Sequence, residues 1–509
     1  MTESFHSSFQ KNNCANFIRQ GEQEGKYFFR LDEQKWHSLV EQLKEDTLVF
    51  LGMWADKEDI NILFLEGGFR PLGVKITASV DRYLAVSSVR PSAEVYERII
   101  LDLWGKEAMN AINLYPWLDR GVWNCTWPLS ARPGPKNEQS DFKDFDQNAA
   151  LFQNSEEIAI ISPVSDRNLS PALWRFSIKG EKIIHAESFY GYTHRGIIAN
   201  LHQKPLIKAF SLISRINALD SISHQSAFAH AIEDMAGFVP ETGILRKRVI
   251  LIELMRLNAH TLHLSLIFRA LGIKVVAARY EYARELLMRW CLHYYGHRWL
   301  MDCIYPGLSC DPVIEESVYK LPKEIQDICF EAQHLSESIP GLFENLRDVG
   351  VLDMNHAIQY DISGYIGRAS GRDYDIRRYM PEYRLEWLVP SNFKDGDVLA
   401  RTQIRFQEIC NSFNIIDQIF QHEVQEYHHP QKALSIENLT GEGIGVCEGV
   451  QGDIWYYVKA VNGIIEDIFI HDPAVKQAMI LPKLMQNQLW SDQLVIRASF
   501  GILSTGADL

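Results

Sequence analysis

Three ionisable side chains lie at helical spacing within one apolar stretch of the chain. Glu253 and His260 are seven positions apart, so they share one face of a helix, and Arg256 lies within a turn of both. Burying such groups on an apolar helix is costly unless their charges pair. The set predicts either part of a proton or charge relay or a structural ion pair that bridges two helices. The sequence leaves both interpretations open.

A second group of charges crowds a short segment around Ser370 and Gly371. Arg368, Asp375 and Arg377 lie within ten positions of one another. We expect this segment to be a loop that ion pairs hold inside the protein, and a surface loop is the alternative. If the loop is internal, its charges join the candidate relay.

Farther along the chain, cysteines and histidines occur close together. They are Cys291, His293, His297, Cys303 and Cys310. These residue types can bind zinc, but their spacing matches no common zinc motif. We expect the cysteines to pack as small apolar side chains, so no metal site is predicted here.

The elements that must position these residues divide the chain into four segments. We predict a polar N-terminal segment at 1–25, a small α+β domain at 26–125, a Pro-rich linker at 126–150 and a larger, mainly helical domain at 151–509. The second domain carries β decoration at both ends. The predicted fold class is therefore α+β.

Periodicity predicts the elements of each domain. In the first domain it indicates helices at 32–43 and 92–108, and strands at 47–53, 61–66 and 73–79. In the second domain it indicates strands at 158–162, 172–178, 183–187 and 444–460, and helices at 201–217, 224–235, 244–271, 281–293, 323–346 and 404–421.

The composition argues against a nucleic-acid partner and against a membrane-spanning segment. The net charge of −14 argues against nucleic acid as a partner, because such binding depends on clustered Lys and Arg. The eight cysteines are scattered and include no C-x-x-C pair, which fits a reducing compartment. No apolar run is long enough to span a bilayer, and the N-terminus lacks a secretory signal, so any membrane role would be peripheral.

Four motifs occur in order along the second domain. They are residues 192–196 (YTHRG), the Glu253, Arg256 and His260 set, the Arg368, Asp375 and Arg377 set, and residues 414–417 (NIID). Together they resemble the large subunit of formate hydrogenlyase-type (group 4, energy-converting) NiFe hydrogenases. They also resemble the homologous quinone-site subunit of respiratory complex I, the NuoD type.

The first domain carries a separate resemblance. Residues 97–105 (ERIILDLWG) and 116–119 (PWLD) are similar to the complex I NuoC-type subunit. Residues 127–133 (WPLSARP) are similar to the junction that follows it in fused proteins. Since formate hydrogenlyase-type large subunits carry this NuoC–NuoD fusion, it favours the hydrogenase branch.

Two segments resemble the metal-binding segments of that family, at 214–224 and 496–508. In the hydrogenases each carries a C-x-x-C pair whose thiolates hold nickel and iron, and a histidine at the position of His224 lies beside the metal. We therefore include His224 in the candidate relay, and a hydrogen-bonded core histidine is the alternative. Here the four cysteine positions are occupied by Asn217, Asp220, Ile502 and Thr505. These side chains do not replace soft thiolates, so we expect no NiFe centre and no cofactor. Whether the oxygen atoms of Asn217 and Asp220 bind a harder cation, such as Mg²⁺, is left open.

The quinone-site residues of the complex I relatives are also replaced. The resemblance places a histidine of the first hairpin at Pro171 and a tyrosine at Ala218. Neither side chain can donate a hydrogen bond or a proton to a quinone. We therefore predict that quinone chemistry is lost together with the metal.

The resemblance implies a peripheral large subunit of a membrane-bound complex, on the cytoplasmic side of the inner membrane. It would couple redox or conformational change to ion translocation by membrane subunits. Its expected partners are an Fe–S small-subunit (NuoB-like) homologue and antiporter-like membrane subunits. Whether the chain is itself an oxidoreductase is left open. The alternative is a purely structural scaffold subunit of an ion or small-solute transport complex without electron transfer.

Overall fold

The computed structural model describes residues 13–78, 81–136, 152, 155–164, 171–310, 321–422 and 433–509. It divides into two compact units, one of residues Met1–Gln147 with Gln359–Asp361, the other of Asn148–Ile358 with Ile362–Leu509. Within the described ranges, no helix is long and apolar enough to cross a membrane. The predicted boundaries of the four segments stay predictions, and most of the expected linker lies outside the described residues.

The first unit is built around a mixed sheet. Its helices are α1 (Asn13–Ile18), α2 (Glu33–Gln42) and α3 (Glu94–Trp104), and its strands are β1 (Glu22–Glu24), β2 (Phe28–Arg30), β3 (Val49–Ala55), β4 (Asp59–Glu66), β5 (Arg70–Thr77), β6 (Arg82–Leu84) and β7 (Glu107–Met109). The order β1-β2-β5-β4-β3 forms one sheet, antiparallel except where β2 pairs with β5, and β6 pairs with β7. Asp32 caps α2 by accepting from the backbone N–H of Lys35, as expected of an aspartate before a helix.

Part of the polar N-terminal segment is ordered: Asn13–Ile18 form α1 and Glu22–Glu24 form β1, with Cys14 and Ile18 fully buried; residues 1–12 lie outside the described residues. One expectation for this unit is corrected. The helix predicted at 92–108 ends at Trp104. Gly105 adopts φ 72°, a left-handed conformation that favours glycine and ends the helix.

The second unit is mainly helical. Its strands are β8 (Glu157–Ile161), β9 (Leu173–Lys179), β10 (Lys182–Phe189), β11 (Ile304–Tyr305), β12 (Leu308–Ser309), β13 (Gly441–Glu448), β14 (Asp453–Val461) and β15 (Ile464–His471). Its helices are α4 (Ile197–Leu201), α5 (Leu206–Ile213), α6 (Ser221–Ala236), α7 (Thr242–Ala270), α8 (Lys274–Tyr295), α9 (Lys323–Glu337), α10 (Met354–Gln359, whose last residue belongs to the first unit), α11 (Gly364–Ala369), α12 (Val398–His422), α13 (Ala474–Ile480), α14 (Gln493–Phe500) and α15 (Ser504–Ala507). The predicted α+β fold class is confirmed.

Helix α7 is the centre of this unit. It packs against α8, α12 and α14, and its charged as well as its apolar residues are buried. The antiparallel sheet β13-β14-β15 covers α6. Glycine permits this close approach, because a Cβ at Gly445 would lie 2.1 Å from the carbonyl oxygen of Ala227. The sheet therefore brings the end of β13 against the central helices.

Two predicted helices of the second unit differ from those observed, and one observed strand was not predicted. The helix expected at 201–217 is two short helices, since Pro205 stands between α4 and α5 and is followed by a new first turn. The helix expected at 323–346 ends at Glu337. Strand β15 was not predicted, although it pairs with β14 along seven residue pairs.

Candidate functional site

Glu408 is the centre of a buried ion-pair network. Its Oε2 lies 2.7 Å from Nε2 of His260 and 3.4 Å from Nη1 of Arg256, both on α7. Its Oε1 contacts the guanidinium group of Arg368 on α11 and lies 3.7 Å from Nη2 of Arg377. One carboxylate of α12 therefore joins α7, α11 and the 3-10 turn Ile376–Tyr379.

Glu253 forms the end of this network on the same face of α7. Its carboxylate accepts hydrogen bonds from the hydroxyls of Tyr383 and Ser412, each at 2.5 Å, and from Nε of Arg256 at 3.4 Å. Glu253 has no exposed surface. Both of its oxygens are thus satisfied, which compensates for burying the charge.

Arg368 is shared between two further carboxyl groups. Its Nη1 lies 2.8 Å from Oε1 of Glu448 and 3.5 Å from Oδ2 of Asp375. Asp375 in turn accepts from Nε and Nη2 of Arg377, at 2.9 and 2.6 Å. The segment predicted to be either an internal or a surface loop is internal, and its acidic and basic groups pair with each other and with α12.

The network continues beyond His260 to the C-terminal helices. Arg405 donates from Nη1 to Nδ1 of His260 at 3.0 Å and to Nδ1 of His263 at 2.9 Å. Its Nη2 donates to the hydroxyl of Tyr365, which itself donates to the carbonyl of Phe500. Because arginine only donates, Nδ1 of His260 must accept, so a neutral His260 carries its proton on Nε2 and donates it to the carboxylate of Glu408.

The pKa values of the acids in this network shift in opposite directions. Burial alone would raise the pKa of Glu408, but the positive charge of Arg368 and the bond from His260 hold that pKa well below its usual range. Burial also opposes ionisation of Asp375, and Arg377 and Arg368 outweigh it, so the pKa of Asp375 is lowered. Burial raises the pKa of Glu448 to about 7, with Arg368 opposing and Asp375 adding to the rise. Neighbouring carboxyls with separated pKa values are a common arrangement for acid–base work.

The structure places most of the predicted relay residues in this one network. They are Glu253, Arg256, His260, Arg368, Asp375 and Arg377. His224 is not among them. Its Nδ1 lies 2.8 Å from the hydroxyl of Tyr456, and its Nε2 lies 3.3 Å from Oδ2 of Asp472. His224 therefore belongs to a separate buried cluster with its own carboxylate.

In the first of the two segments that resemble metal-binding segments, the polar side chains accept hydrogen bonds from backbone amides. Asn217 accepts from the backbone N–H of Leu219 at 3.0 Å, and Asp220 accepts from that of Val450 at 2.8 Å. Burial raises the pKa of Asp220 to about 6, while the bond from Val450 opposes the rise. These contacts orient Asn217 and Asp220 toward backbone amides of their surroundings.

Apolar side chains fill the region between the two segments. Leu219 of the first segment and Leu503 of the second pack into one cluster with Ala259, Leu262 and Val450. Ile502 is buried and Thr505 half-buried on the second segment. None of the four aligned positions carries a cysteine, so these side chains do not supply the soft thiolates that hold nickel and iron. In the described part of the chain, no group of three or more His, Cys, Asp or Glu side chains could hold a metal ion.

The YTHRG motif ties the two segments together. The Asp508 carboxylate accepts from the backbone N–H of Gly191 and Thr193, each at 2.8 Å, and from the Thr193 hydroxyl at 2.6 Å. Arg195 donates to the carbonyls of Arg215 and Ile216 at 3.0 and 2.6 Å. One short motif thus anchors both the first and the second segment.

The remaining predicted positions are also in the described residues. Pro171 is half-buried just before β9, and Ala218 is exposed. Cys303 and Cys310 flank the β11–β12 hairpin, where the backbone N–H of Cys310 donates to the carbonyl of Cys303 at 2.7 Å. Among the described residues, these cysteines and histidines form no group of three or more side chains that could hold a metal ion, and the expected absence of a zinc site stays a prediction.

Sequence reasoning missed several members of the network. They are Glu408, Arg405, His263, Tyr365, Tyr383 and Glu448. A signal existed for α12, where Arg401, Arg405, Glu408 and Ser412 recur every three or four residues and so lie on one helix face. For Glu448 we find no such signal, because only the tertiary structure brings the end of β13 to Arg368.

The sequence is similar to components of respiratory enzymes. The model of the respiratory-chain NADH dehydrogenase 49 kDa subunit family matches residues 271–442. The carbon monoxide-induced hydrogenase of Rhodospirillum rubrum is 26% identical over 304 residues, covering 58% of this chain and 82% of that protein. A D-type chain of the NADH-quinone oxidoreductase of Chloroherpeton thalassium is 26% identical over 364 residues, covering 65% and 82%. The fused C/D-type chain of the same enzyme in Bacteroides fragilis is 27% identical, covering 62% of this chain and 60% of its own length.

A solved structure shares the fold. A chain of the membrane-bound sulfane sulfur reductase, an archaeal respiratory membrane complex, superposes with a TM-score of 0.62 at 19% identity, over 70% of this chain and 99% of that one. The predicted resemblance to complex I and hydrogenase subunits is confirmed as a sequence similarity, and the formate hydrogenlyase-type branch stays a prediction. Over these lengths the chain is similar to the complex I 49 kDa-type subunit and to a hydrogenase.

Proposed function

We propose that this chain is the peripheral large subunit of a membrane-bound complex related to complex I and the energy-converting hydrogenases. In it the buried network around Glu408 couples redox or conformational change to ion translocation by membrane subunits. The observation that carries the proposal is the unbroken chain of charged contacts from Glu253 through Arg256, Glu408 and His260 to Arg405. A change of charge at one member alters the balance at its neighbours, because burial leaves little solvent to screen it.

The absence of NiFe chemistry is part of the same proposal. It is supported by the ligand types at Asn217, Asp220, Ile502 and Thr505, and by the apolar cluster that joins Leu219 to Leu503. The proposal also includes no quinone chemistry, because the side chains of Pro171 and Ala218 cannot donate a hydrogen bond or a proton to a quinone.

The expected surroundings come from the relatives. The sulfane sulfur reductase is described as a respiratory membrane complex, and the other relatives are named as a hydrogenase and as parts of quinone oxidoreductases. We propose an Fe–S small-subunit (NuoB-like) homologue and antiporter-like membrane subunits as partners, with the chain on the cytoplasmic face of the inner membrane.

Metal analysis of the purified full chain tests the first half of the proposal. We expect substoichiometric nickel and iron, measured by inductively coupled plasma mass spectrometry after size-exclusion chromatography. Stoichiometric nickel that survives chelation would overturn it, because the present side chains would then hold the metal after all.

Ion transport by the intact complex tests the second half against the scaffold alternative. The variants Glu253→Gln, His260→Gln and Asp375→Asn are expected to abolish most transport in membrane vesicles while the complex still assembles. Glu285→Gln is the matched control, since this acid lies on the surface of α8 in pairs with Arg289 and Arg298. If transport survives all three changes in an assembled complex, the scaffold function is correct.

A further inference from the structure

We propose that Glu448 is the proton-exchanging group of the Glu408 network. This inference deepens the proposed function and rests on it for its consequence, although protonation of Glu448 can be measured without it. Glu448 is the last residue of β13 and has no exposed surface. Nothing in the four sequence motifs points to it.

The two oxygens of Glu448 stand in different surroundings. Oε1 lies 2.8 Å from Nη1 of Arg368. Oε2 is buried and has no hydrogen-bond partner among the described residues. A carboxylate needs partners on both oxygens to be stable in the interior, whereas a carboxylic acid can carry its proton on the second oxygen. The geometry therefore suits the protonated form as the resting state.

Competition for the neighbouring guanidinium groups favours the same form. Arg368 and Arg377, from α11 and the turn after it, are already paired with Asp375 and Glu408. Arg256 of α7 donates to the backbone carbonyl of Glu448 and so does not neutralise its side chain. Asp453 at the start of β14 adds negative charge nearby, and it too raises the pKa of Glu448 after burial and Asp375.

Exchange of this proton changes the pairing of the network. When the O–H bond of Glu448 breaks, a water molecule takes the proton and the new carboxylate competes with Asp375 for Arg368. No electron and no other group moves in this step. Nη1 of Arg377 has no hydrogen-bond partner among the described residues, so it is available to donate a hydrogen bond that compensates the new negative charge.

The turn after Glu448 connects this group to Asp220, another buried acid whose pKa is raised. The turn spans residues 449–452, and its Val450 N–H donates to Asp220 at 2.8 Å. Its Gln451 side chain donates to the carbonyl of Gly501, within the second segment at 496–508. Glu448 therefore lies where the charged network meets the two segments that resemble metal-binding segments.

Infrared difference spectroscopy of the purified full chain across neutral pH tests the proposal. The carbonyl band of a protonated carboxylic acid should disappear with a midpoint near pH 7, and Glu448→Gln should remove one carboxyl equivalent of that band. Glu97→Gln is the matched control, because burial raises the pKa of Glu97 to about 7 as well, in the first unit. Each variant should remove its own equivalent and leave the other.

Two further variants keep the test decisive. Arg368→Gln should move the Glu448 midpoint upward by at least a pH unit, since it removes the opposing positive charge, and it should leave the Glu97 midpoint in place. If Glu448→Gln does not fold, Glu448→Asp should keep the band with a shifted midpoint. A band that is unchanged in Glu448→Gln, or a midpoint unmoved in Arg368→Gln, would overturn the proposal.

Transport measurements separate this inference from the proposed function. If Glu448 titrates but Glu448→Gln, Glu253→Gln, His260→Gln and Asp375→Asn all transport ions as well as the unmodified complex, the coupling function is wrong and the protonation site stands. If Glu448 does not titrate near neutral pH while Glu253→Gln abolishes transport, the coupling function stands and Glu448 is not its proton-exchanging group.

Discussion

Two buried regions of the second unit differ in how they satisfy their polar groups. In the Glu408 network, oppositely charged side chains from α7, α11 and α12 pair with one another. In the segments at 214–224 and 496–508, Asn217 and Asp220 bond to backbone amides, and Leu219 and Leu503 pack into one apolar cluster. The stability of the first region depends on each charged partner. The stability of the second depends on how well its apolar side chains fill the space between them.

This difference bears on which positions can be changed singly. A side chain that packs against apolar neighbours or bonds to a backbone amide can be replaced without leaving an opposite charge unpaired. A buried charge cannot be removed alone, because its partner is then left unpaired at a cost of several kcal/mol. The charges of the Glu408 network are therefore constrained as a set.

The largest effect is expected for Glu408→Gln. The change leaves Arg368 and Arg377 without one of their carboxylates in the interior, so we expect the free energy of unfolding to fall by about 3 to 5 kcal/mol. Urea unfolding of the purified chain measures it, with Glu285→Gln on the surface as the control, expected to cost less than about 1 kcal/mol. Equal small losses in both variants would mean that the network is not a stabilising unit.

Leu219→Ala tests the other region. Leu219 is 5% exposed, so its truncation should leave a cavity between the segments and cost about 2 to 5 kcal/mol of unfolding free energy. Leu219→Met keeps the volume and should cost less than about 1.5 kcal/mol. A loss below about 1 kcal/mol for the alanine variant would show that the region between the segments is loosely packed.

Asp220→Asn should change the pH dependence of stability. The folded pKa of Asp220 is raised from 3.8 to about 6, so the folded state keeps a proton that the unfolded state loses. The unfolding free energy should therefore decline as pH rises through this window, by up to about 3 kcal/mol. Asparagine can still accept from Val450 and should remove that decline. As an opposite control, Asp302 has a lowered pKa, so its contribution to stability is lost as pH falls.

The smallest effect is expected at the surface of the first segment. Arg215 pairs with Asp302 at 2.7 Å, but its side chain is 45% exposed. Arg215→Ala should therefore cost less than about 1 kcal/mol, and added salt should reduce even that difference. If Arg215→Ala lowered the unfolding free energy as much as Glu408→Gln, burial would not explain the difference in strength between the buried and the exposed ion pairs.

Periodicity predicted much of the fold. Helix α7 and the strands β3 to β5 were found to within a few residues, because their apolar patterns are long and regular. It failed where one residue ends an element, as Gly105 does for α3 and Pro205 for the helix expected at 201–217. Strand β15 was missed because its residues, IIEDIFIH, do not alternate strictly between apolar and polar side chains.

The site was predicted in part. The helical spacing on α7 and the charged segment after Arg368 identified residues that do come together, although their roles stay predictions. His224 was grouped with them because the resemblance placed it beside the metal, and it lies instead with Tyr456 and Asp472. Local spacing carries no information on which distant segment a side chain will meet.

By itself the sequence determined the residue types: which helix carries the charges and which cysteine positions are occupied by other side chains. These are facts of composition and spacing, and no packing can alter them. The tertiary structure alone decided that Glu408 joins Arg256 to Arg368, and that Glu448 faces Arg368 with one oxygen unpartnered among the described residues. Pairing across helices and strands depends on how their surfaces pack, and packing sets both the distance between charges and the solvent that screens them.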